Sequence, residues 1–500
     1  MRGHVPRLTA LAVPVYAELL SGVVASVVGT LWVAGLGGAA VAAVTLAGTV
    51  ENLLLGLVLV VASGTSVRLS QALGAGDRAE ADRTARAAWR LCACGSLAIA
   101  VPGFLLRDQL AGAFLDGEAA ARAAEYFTVA FPAFALFFGQ RVADELFKGA
   151  GDTRTPMRVA LLSNALLLVL DPLLILGAGP VPALGVPGAA LALTVSRAIA
   201  LAVTLRLRGR LRGRLRGRLQ GRLRQRTGAA GGVRAAAARI VRAGTPFGLD
   251  FTARMAVGTA QLGLVAGFGV AAVAGYGVGY RVLLVVTMAF YALRQAAAIE
   301  AARLTGAGET GALRALHRDT GRLAALLGAG AVVLSAALAV PLTALFTDDP
   351  AVAAQSVGFL RMAALYLLPY ALVVALGGIH QAAGAGRPLV LAVLLGLGVQ
   401  LAASAGLSGP LGVSGVWLGP AVGAVLQLAL LLLLARRRAA TPVEAPAVEA
   451  PAAEPSRELQ PADRGAAAWT STNSSTPDRK PVGRATSAGT GCTSTVAAGG

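Results

Sequence analysis

Residues 33–43 of this chain read VAGLGGAAVAA, and residues 265–275 read VAGFGVAAVAG, 232 positions later. The same displacement carries Pro14 onto Pro246, Glu18 onto Asp250, the LGAG of 73–76 onto the TGAG of 305–308, and Pro156 onto Pro388. One later pair slips: LGVPGAALA begins at 184 and LGVSGVWLG at 411, 227 apart. A register held this long means that a unit of about half the chain occurs twice. Such a unit is too large for the short stacked repeats of solenoids. In a membrane chain it points to a transporter whose site lies between or within two lobes.

The chain has the composition of a membrane protein. Hydrophobic residues make up 56% of it and charged ones 14%, against a usual charged share of about 25%. Its mean hydropathy is +0.69. Apolar runs long enough to cross a bilayer, about 20 residues each, recur six times before an Arg-rich stretch at 206–226 and six times after it. The first six are expected near 8–33, 40–66, 88–107, 124–147, 157–178 and 186–205. The second six are expected near 240–268, 271–298, 320–346, 354–382, 387–407 and 411–435. The expected fold is all-α and integral to the membrane, with twelve transmembrane helices in two pseudo-symmetric six-helix lobes. The first apolar segment lacks a signal-peptide cleavage pattern and belongs to the repeat, so it reads as a retained span. Three cysteines, Cys92, Cys94 and Cys492, give no disulfide framework and no metal-ligand spacing.

The formal net charge of +19 suggests nucleic acid until its location is read. Ten arginines lie in RLRGRLRGRLRGRLQGRLRQR, between the sixth and seventh spans, and more flank the ends at Arg2, Arg7 and Arg436–Arg438. An even number of spans separates these places. They therefore share one side, which the positive-inside rule makes the cytoplasm. The tract reads as a topology anchor that touches anionic lipid headgroups. Without interleaved aromatics it is not a nucleic-acid site. Residues 439–500, rich in Ala, Pro, Ser, Thr and Glu, read as a disordered cytoplasmic tail. The expected organisation is an N-terminal lobe at 1–205, an Arg-rich linker at 206–239, a C-terminal lobe at 240–436 and a tail at 437–500. Both termini are expected in the cytoplasm, the location in the plasma membrane, and the chain as a monomer.

A charge inside a span is expensive and is therefore a functional candidate. Glu18 lies in the first span, Glu51 and Asn52 in the second, Asp171 deep in the fifth (SNALLLVLDPLLILG), and Thr194 and Ser196 in the sixth. Asn164 precedes Asp171 by seven residues and shares its helix face. A carboxyl in a low-dielectric setting holds its proton more tightly than one in water. Asp171 is accordingly a candidate proton or cation carrier, with a packing hydrogen bond to Thr194 or Asn164 as the plainer account. The displacement of 232 takes Asp171 to Ala403 and Asn164 to Gly396, so the second half lacks this pair. It carries Asp250 and Arg254 instead, four residues apart on one face. They form either a self-neutralising pair or a substrate-facing carboxylate masked by its neighbour. Tyr276, Tyr280, Tyr291, Gln295, Tyr366 and Tyr370 either line a cavity for flat organic ligands or mark the membrane interface. His380, near a helix end, reads as a surface residue. LGAGD at 73–77 and FKGAGDTRTP at 147–156 read as turns, with Asp152 or Thr153 capping the next helix. No nucleotide fingerprint, metal cluster or nucleophile–base constellation is evident, so neither an ATP-driven pump nor an enzyme is expected.

Taken in order and spacing, several segments resemble the multidrug and toxic compound extrusion (MATE) family. They are SGTSVRLSQALGAGDRAEA (63–81), FKGAGDTRTPM (147–157), NALLLVLDPLLILG (164–177), LGVPGAALALTVS (184–196), AGTPFGLD (243–250) and VAGFGVAAVAGYGVGYR (265–281). The resemblance implies two six-helix lobes with cytoplasmic termini. It also implies export of small, often cationic organic compounds against protons or sodium ions by alternating access, with no other cofactor. The fifth-span Asp of proton-coupled members matches Asp171 and their sixth-span Thr matches Thr194. Their first-span Asp falls at Gly29, and the tenth-span acid of sodium-coupled members has no match in 354–382. Coupling through Asp171, with Glu18, Thr194 and Asn164 around it, is the expectation. Asp250, Arg254, the five tyrosines and Gln295 are the expected substrate contacts. The rivals are a flippase for lipid-linked or polysaccharide precursors, which needs a strongly basic cavity, and a non-transporting scaffold or sensor.

Overall fold

A computed structural model describes residues 3–177, 182–207, 209, 232–384 and 386–440. Most of the Arg-rich tract (208 and 210–231) and the expected tail from 441 lie outside the described residues. Every described element is a helix, as an apolar solvent demands: a helix satisfies its backbone N–H and C=O groups within one segment. The first half runs α1 (Val5–Ala34), α2 (Gly38–Ala75), α3 (Arg78–Leu105), α4 (Arg107–Gly112), α5 (Gly117–Gly149), α6 (Arg154–Ile175) and α7 (Val186–Arg206). The second runs α8 (Val233–Ala266), α9 (Val270–Ala307), α10 (Thr310–Ala337), α11 (Ala339–Ala344), α12 (Pro350–Ala382), α13 (Gly386–Leu411) and α14 (Val413–Ala440). α8 begins inside the stretch expected to be linker.

Corresponding helices match in length: 38 residues in α2 and α9, 28 in α3 and α10, six in α4 and α11, 33 in α5 and α12. Among the described residues, ten helices are long and apolar enough to cross a membrane. Two further long helices, α5 and α8, are not among those ten. Acidic side chains fix several starts. Asp77 accepts from the Glu80 N–H at 2.8 Å ahead of α3, and Asp349 from the Ala351 N–H at 2.8 Å ahead of α12. Of the two residues expected to cap α6, Asp152 makes the bond, accepting from the Thr155 N–H at 3.2 Å.

Two apolar clusters lie within single halves. One joins Val33, Ala43, Phe127 and Val186; the other joins Val265, Phe290, Leu360 and Trp417. Two others join the halves: Leu8 and Val67 pack with Leu293 and Ile299, and Val58 and Leu146 with Ala236 and Ile240. The α2–α8 crossing depends on missing side chains. A Cβ on Gly244 would strike the Val60 carbonyl, and one on Gly64 the Ile240 carbonyl. Near the ends of α2 and α9 the approach is reciprocal: Gly74 abuts the Arg303 carbonyl and Gly306 the Gln71 carbonyl. These two contacts exchange under the displacement of 232.

α2 and α9 run past their expected ends at 66 and 298, because their last turns carry polar contacts between the halves. Arg7 meets Glu300 at 2.7 Å, where Arg303 also pairs, and Arg239 meets Glu80 at 2.9 Å, where Arg68 and Arg83 also pair. The His4 N–H donates to Asp319 at 2.7 Å. All these residues lie at the end of the bundle that carries the start of α1.

Gly244→Val is expected to destabilise the protein by about 1–3 kcal/mol through overpacking. Gly258→Val, where a Cβ would meet open space, is expected to be near neutral. Thermal unfolding of the two variants in one detergent checks this.

Candidate functional site

A cavity of about 420 Å³ opens between the halves. Its wall from the first half comes from α1, α2 and α5, and its wall from the second half from α8, α9, α12, α13 and α14. Glu18, on α1, is buried and accepts from Lys148 Nζ at 2.8 Å; Glu145, one turn before Lys148 on α5, lies 3.4 Å from the same nitrogen. Gln295 of α9 crosses to the first half and donates to Glu145 Oε1 at 2.7 Å. Glu18 Oε2 and Ser66 Oγ, both at the cavity and buried, have no hydrogen-bond partner among the described residues.

The opposite wall is aromatic and basic. Arg254 Nε donates to Asp250 Oδ1 at 2.9 Å, and Arg294 Nη2 lies 2.7 Å from Asp250 Oδ2. Both guanidiniums line the cavity; Asp250 sits behind them. Arg254 lies over the Tyr370 ring and Arg294 over those of Phe247 and Tyr291. The Tyr291 and Tyr370 hydroxyls meet at 2.9 Å, and Tyr276 stacks on Tyr280 with ring centroids 5.8 Å apart. Tyr366 completes the wall, edge-on to Tyr370. The expected substrate residues thus converge, with Asp250 as the support of the arginines.

The expected ion residues divide. Asp171 on α6 is buried, 4% exposed, and has no hydrogen-bond or ion-pair partner among the described residues. A Cβ on Gly29 of α1 would lie 3.1 Å from Asp171 Oδ2. Asn164, one face with Asp171, donates to Ser21 Oγ at 2.8 Å, and the Thr194 hydroxyl is given to the Ala190 carbonyl. Neither makes the packing bond to Asp171 that the sequence left open. Thr194 lines a second, small cavity with Glu51, Tyr126 and Arg197, where Tyr126 donates to Glu51 at 3.1 Å. Glu18 belongs to the central cavity through Lys148.

The profile of the MatE family matches residues 14–173 and again 246–404. The chain belongs to the MATE family. The two matches start at Pro14 and Pro246, the positions that the internal repeat relates. MATE proteins are membrane transporters, not enzymes. A mutant of the Vibrio cholerae MATE transporter VcmN has the same fold, with a TM-score of 0.79 at 20% identity over 87% of this chain and 97% of that one. Over 153 residues the chain is 37% identical to a probable multidrug resistance protein NorM of Thermotoga maritima, covering 29% of this chain and 31% of that protein. Over 180 residues it is 28% identical to an FAD transporter of Shewanella oneidensis, covering 35% and 39%. The matched stretch thus spans about a third of the length of these curated relatives.

Gly29, where the resemblance led to the expectation of a second acid, places no side chain beside Asp171. His380 departs from its expectation. It is buried, its Nδ1 lies 2.9 Å from the Leu376 carbonyl, and its ring packs edge-on to His317. The last turn of α12 is covered by α10, so nearness to a helix end did not mean exposure. Lys148 and Glu145 were missed as site residues because FKGAGDTRTP reads as a turn. The available signal was that Lys148 is one of only two lysines in the chain, three residues from an acid. Among the described residues no cluster of three His, Cys, Asp or Glu is placed to hold a metal.

Lys148→Met strands Glu18 and Glu145 without their cation and is expected to cost about 3–5 kcal/mol. The double variant Glu18→Gln, Lys148→Met should recover part of that loss. A double-mutant cycle in thermal unfolding checks the coupling.

Proposed function

We propose that this MATE protein is a secondary antiporter that exports small amphipathic organic compounds across the cytoplasmic membrane in exchange for protons or sodium ions. The observation that carries the reading is the cavity between the halves, walled by buried charges on one side and by tyrosines and arginines on the other. Its volume of about 420 Å³ suits a drug-sized molecule. The four cations at its wall, Arg141, Lys148, Arg254 and Arg294, face Glu18, Glu145 and the supporting Asp250. That balance, with the modest volume, favours a small molecule over a lipid-linked pyrophosphate.

On this reading the two halves are six-helix lobes that rock about the fixed site. Asp171 is the coupling group. Protonated, it is a neutral side chain at the α1–α6 seam; ionised, it is an unpaired charge there and favours a different arrangement of the two helices. Glu18, with one oxygen free, takes a proton or a donor group of the substrate. The ion pairs Arg7–Glu300 and Arg239–Glu80 hold the lobes together at one end and must part when that end opens.

Asp171→Asn is expected to abolish efflux driven by an imposed pH gradient while leaving substrate binding within about twofold. Reconstituted vesicles loaded with a fluorescent substrate, under separate proton and sodium gradients, measure this. Proton-driven efflux unchanged in the variant removes Asp171 from the mechanism. The pair Glu80→Gln, Glu300→Gln is expected to loosen the latched end. Spin labels at the exposed positions Asp82 and Arg234 should then gain a longer-distance population in pulsed electron resonance.

A further inference from the structure

The wall from the second half is not electrically balanced. Asp250 has two oxygens, and each is taken by a different arginine: Oδ1 by Arg254 at 2.9 Å and Oδ2 by Arg294 at 2.7 Å. One carboxylate therefore faces two guanidiniums, and neither arginine has another acid within ion-pair distance among the described residues. Their remaining hydrogen bonds go to neutral amides: Gln427 for Arg254 at 3.4 Å, and Gln381 for Arg294 at 2.8 Å. A guanidinium has five N–H donors, so donors remain on side chains that line the cavity. Both side chains are 11% exposed. In so dry a setting an unmatched positive charge attracts an anion strongly, since solvent screens it little.

The surroundings fix the rest of the ligand. Five of the seven tyrosines in the chain, Tyr276, Tyr280, Tyr291, Tyr366 and Tyr370, line this same cavity. Arg254 and Tyr370 touch directly, as do Arg294 and Tyr291. A flat ring laid on the tyrosines brings a substituent on its edge to the arginines. We infer that Arg254 and Arg294 form an anion subsite, and that the transported molecule is an aromatic compound bearing a carboxylate or phosphate, which the two guanidiniums grip while the tyrosines hold its ring. A planar oxyanion meets a guanidinium fork through two parallel hydrogen bonds. A ligand with its cation at this wall meets two like charges instead. The inference deepens the exporter reading and rests on it for the word transported; the subsite itself does not.

The test uses the full chain, purified in detergent, and three 7-methoxycoumarins that differ in one substituent: a carboxylate, its neutral carboxamide and a quaternary ammonium. Equilibrium binding is read by fluorescence. The carboxylate is expected to bind about tenfold more tightly than the carboxamide, a single charge-assisted contact, and the ammonium more weakly than both. Arg254→Gln and Arg294→Gln each leave Asp250 one partner, so neither strands a buried charge; each should shrink the carboxylate preference to within about twofold. Asp250→Asn removes the competing acid and should enlarge it. A purely structural role predicts no such opposite movement. Arg318→Gln, at an exposed position of α10 outside the cavity, should leave the preference unchanged. An ammonium preference in the wild type overturns the subsite, as does a carboxylate preference indifferent to Arg254, Arg294 and Asp250. Efflux of the same coumarins from proteoliposomes separates the two readings. Ammonium efflux with no anion preference sinks the subsite and leaves the exporter standing. Anion binding with no efflux of any coumarin does the reverse.

Discussion

Charges buried among these helices must be neutralised inside the bundle, and the central cavity depends on that requirement. A carboxylate or ammonium taken out of water costs several kcal/mol unless a partner lies close by. Glu18, Lys148 and Glu145 meet that condition across two helices, and Asp250, Arg254 and Arg294 across two others. The helices that supply much of this charge, α5 and α8, are the two long ones that miss the hydropathy of a membrane span. Their low apolarity follows from the site they carry. Each packs against several neighbours: α5 against α2, α3 and α7, and α8 against α2, α3 and α13.

The repeat preserved the acid and moved its counter-ion. Glu18 and Asp250 are related by 232 residues, and each is a buried acid at the central cavity. The ends of α5 and α12, at Gly149 and Ala382, and the left-handed glycines that follow, Gly151 and Gly384, put Lys148 opposite Gln381. Where the first half has an ammonium, the second has an amide, and the positive charge comes from Arg254 and Arg294. Gln381 still serves the cluster by accepting from Arg294. Duplicated helices can therefore keep one frame while their walls acquire different chemistry: paired acids and cations on one side, aromatic and basic on the other.

The frame was legible in the chain because it is written in local patterns. Apolar runs, the prolines at 14 and 246 and the Gly-rich turns each declare themselves within a few residues. The Asp250–Arg254 pair was legible for the same reason, being one helical turn long. The Glu18–Lys148 pair was not: its members are 130 residues apart, and nothing near either names the other. Gln295 and Glu145 are 150 apart and were hidden likewise. The tyrosines were visible, yet cavity and interface predict the same composition at helix ends, and only the packing of α9 against α12 separates them. Gly29 was legible only as a missing acid; its nearness to Asp171 depends on how α1 lies against α6.

The ionic contacts at the latched end follow the same logic in a sharper form. The displacement of 232 carries Arg7 onto Arg239, so each half offers an arginine at the start of its first helix. It carries Arg68 onto Glu300, and there the sign reverses. In one direction Arg7 finds Glu300 directly. In the other, Arg239 faces the helix of Arg68, a like charge, and a bare repeat of the contact would repel. Glu80, from the start of α3, stands between them and bonds both, at 2.9 Å to Arg239 and 3.5 Å to Arg68. Both acids are shared by arginines, Glu300 by Arg7 and Arg303 and Glu80 by Arg239, Arg68 and Arg83; the two bridges differ in where the acid comes from, the repeated helix itself in one and its neighbour α3 in the other.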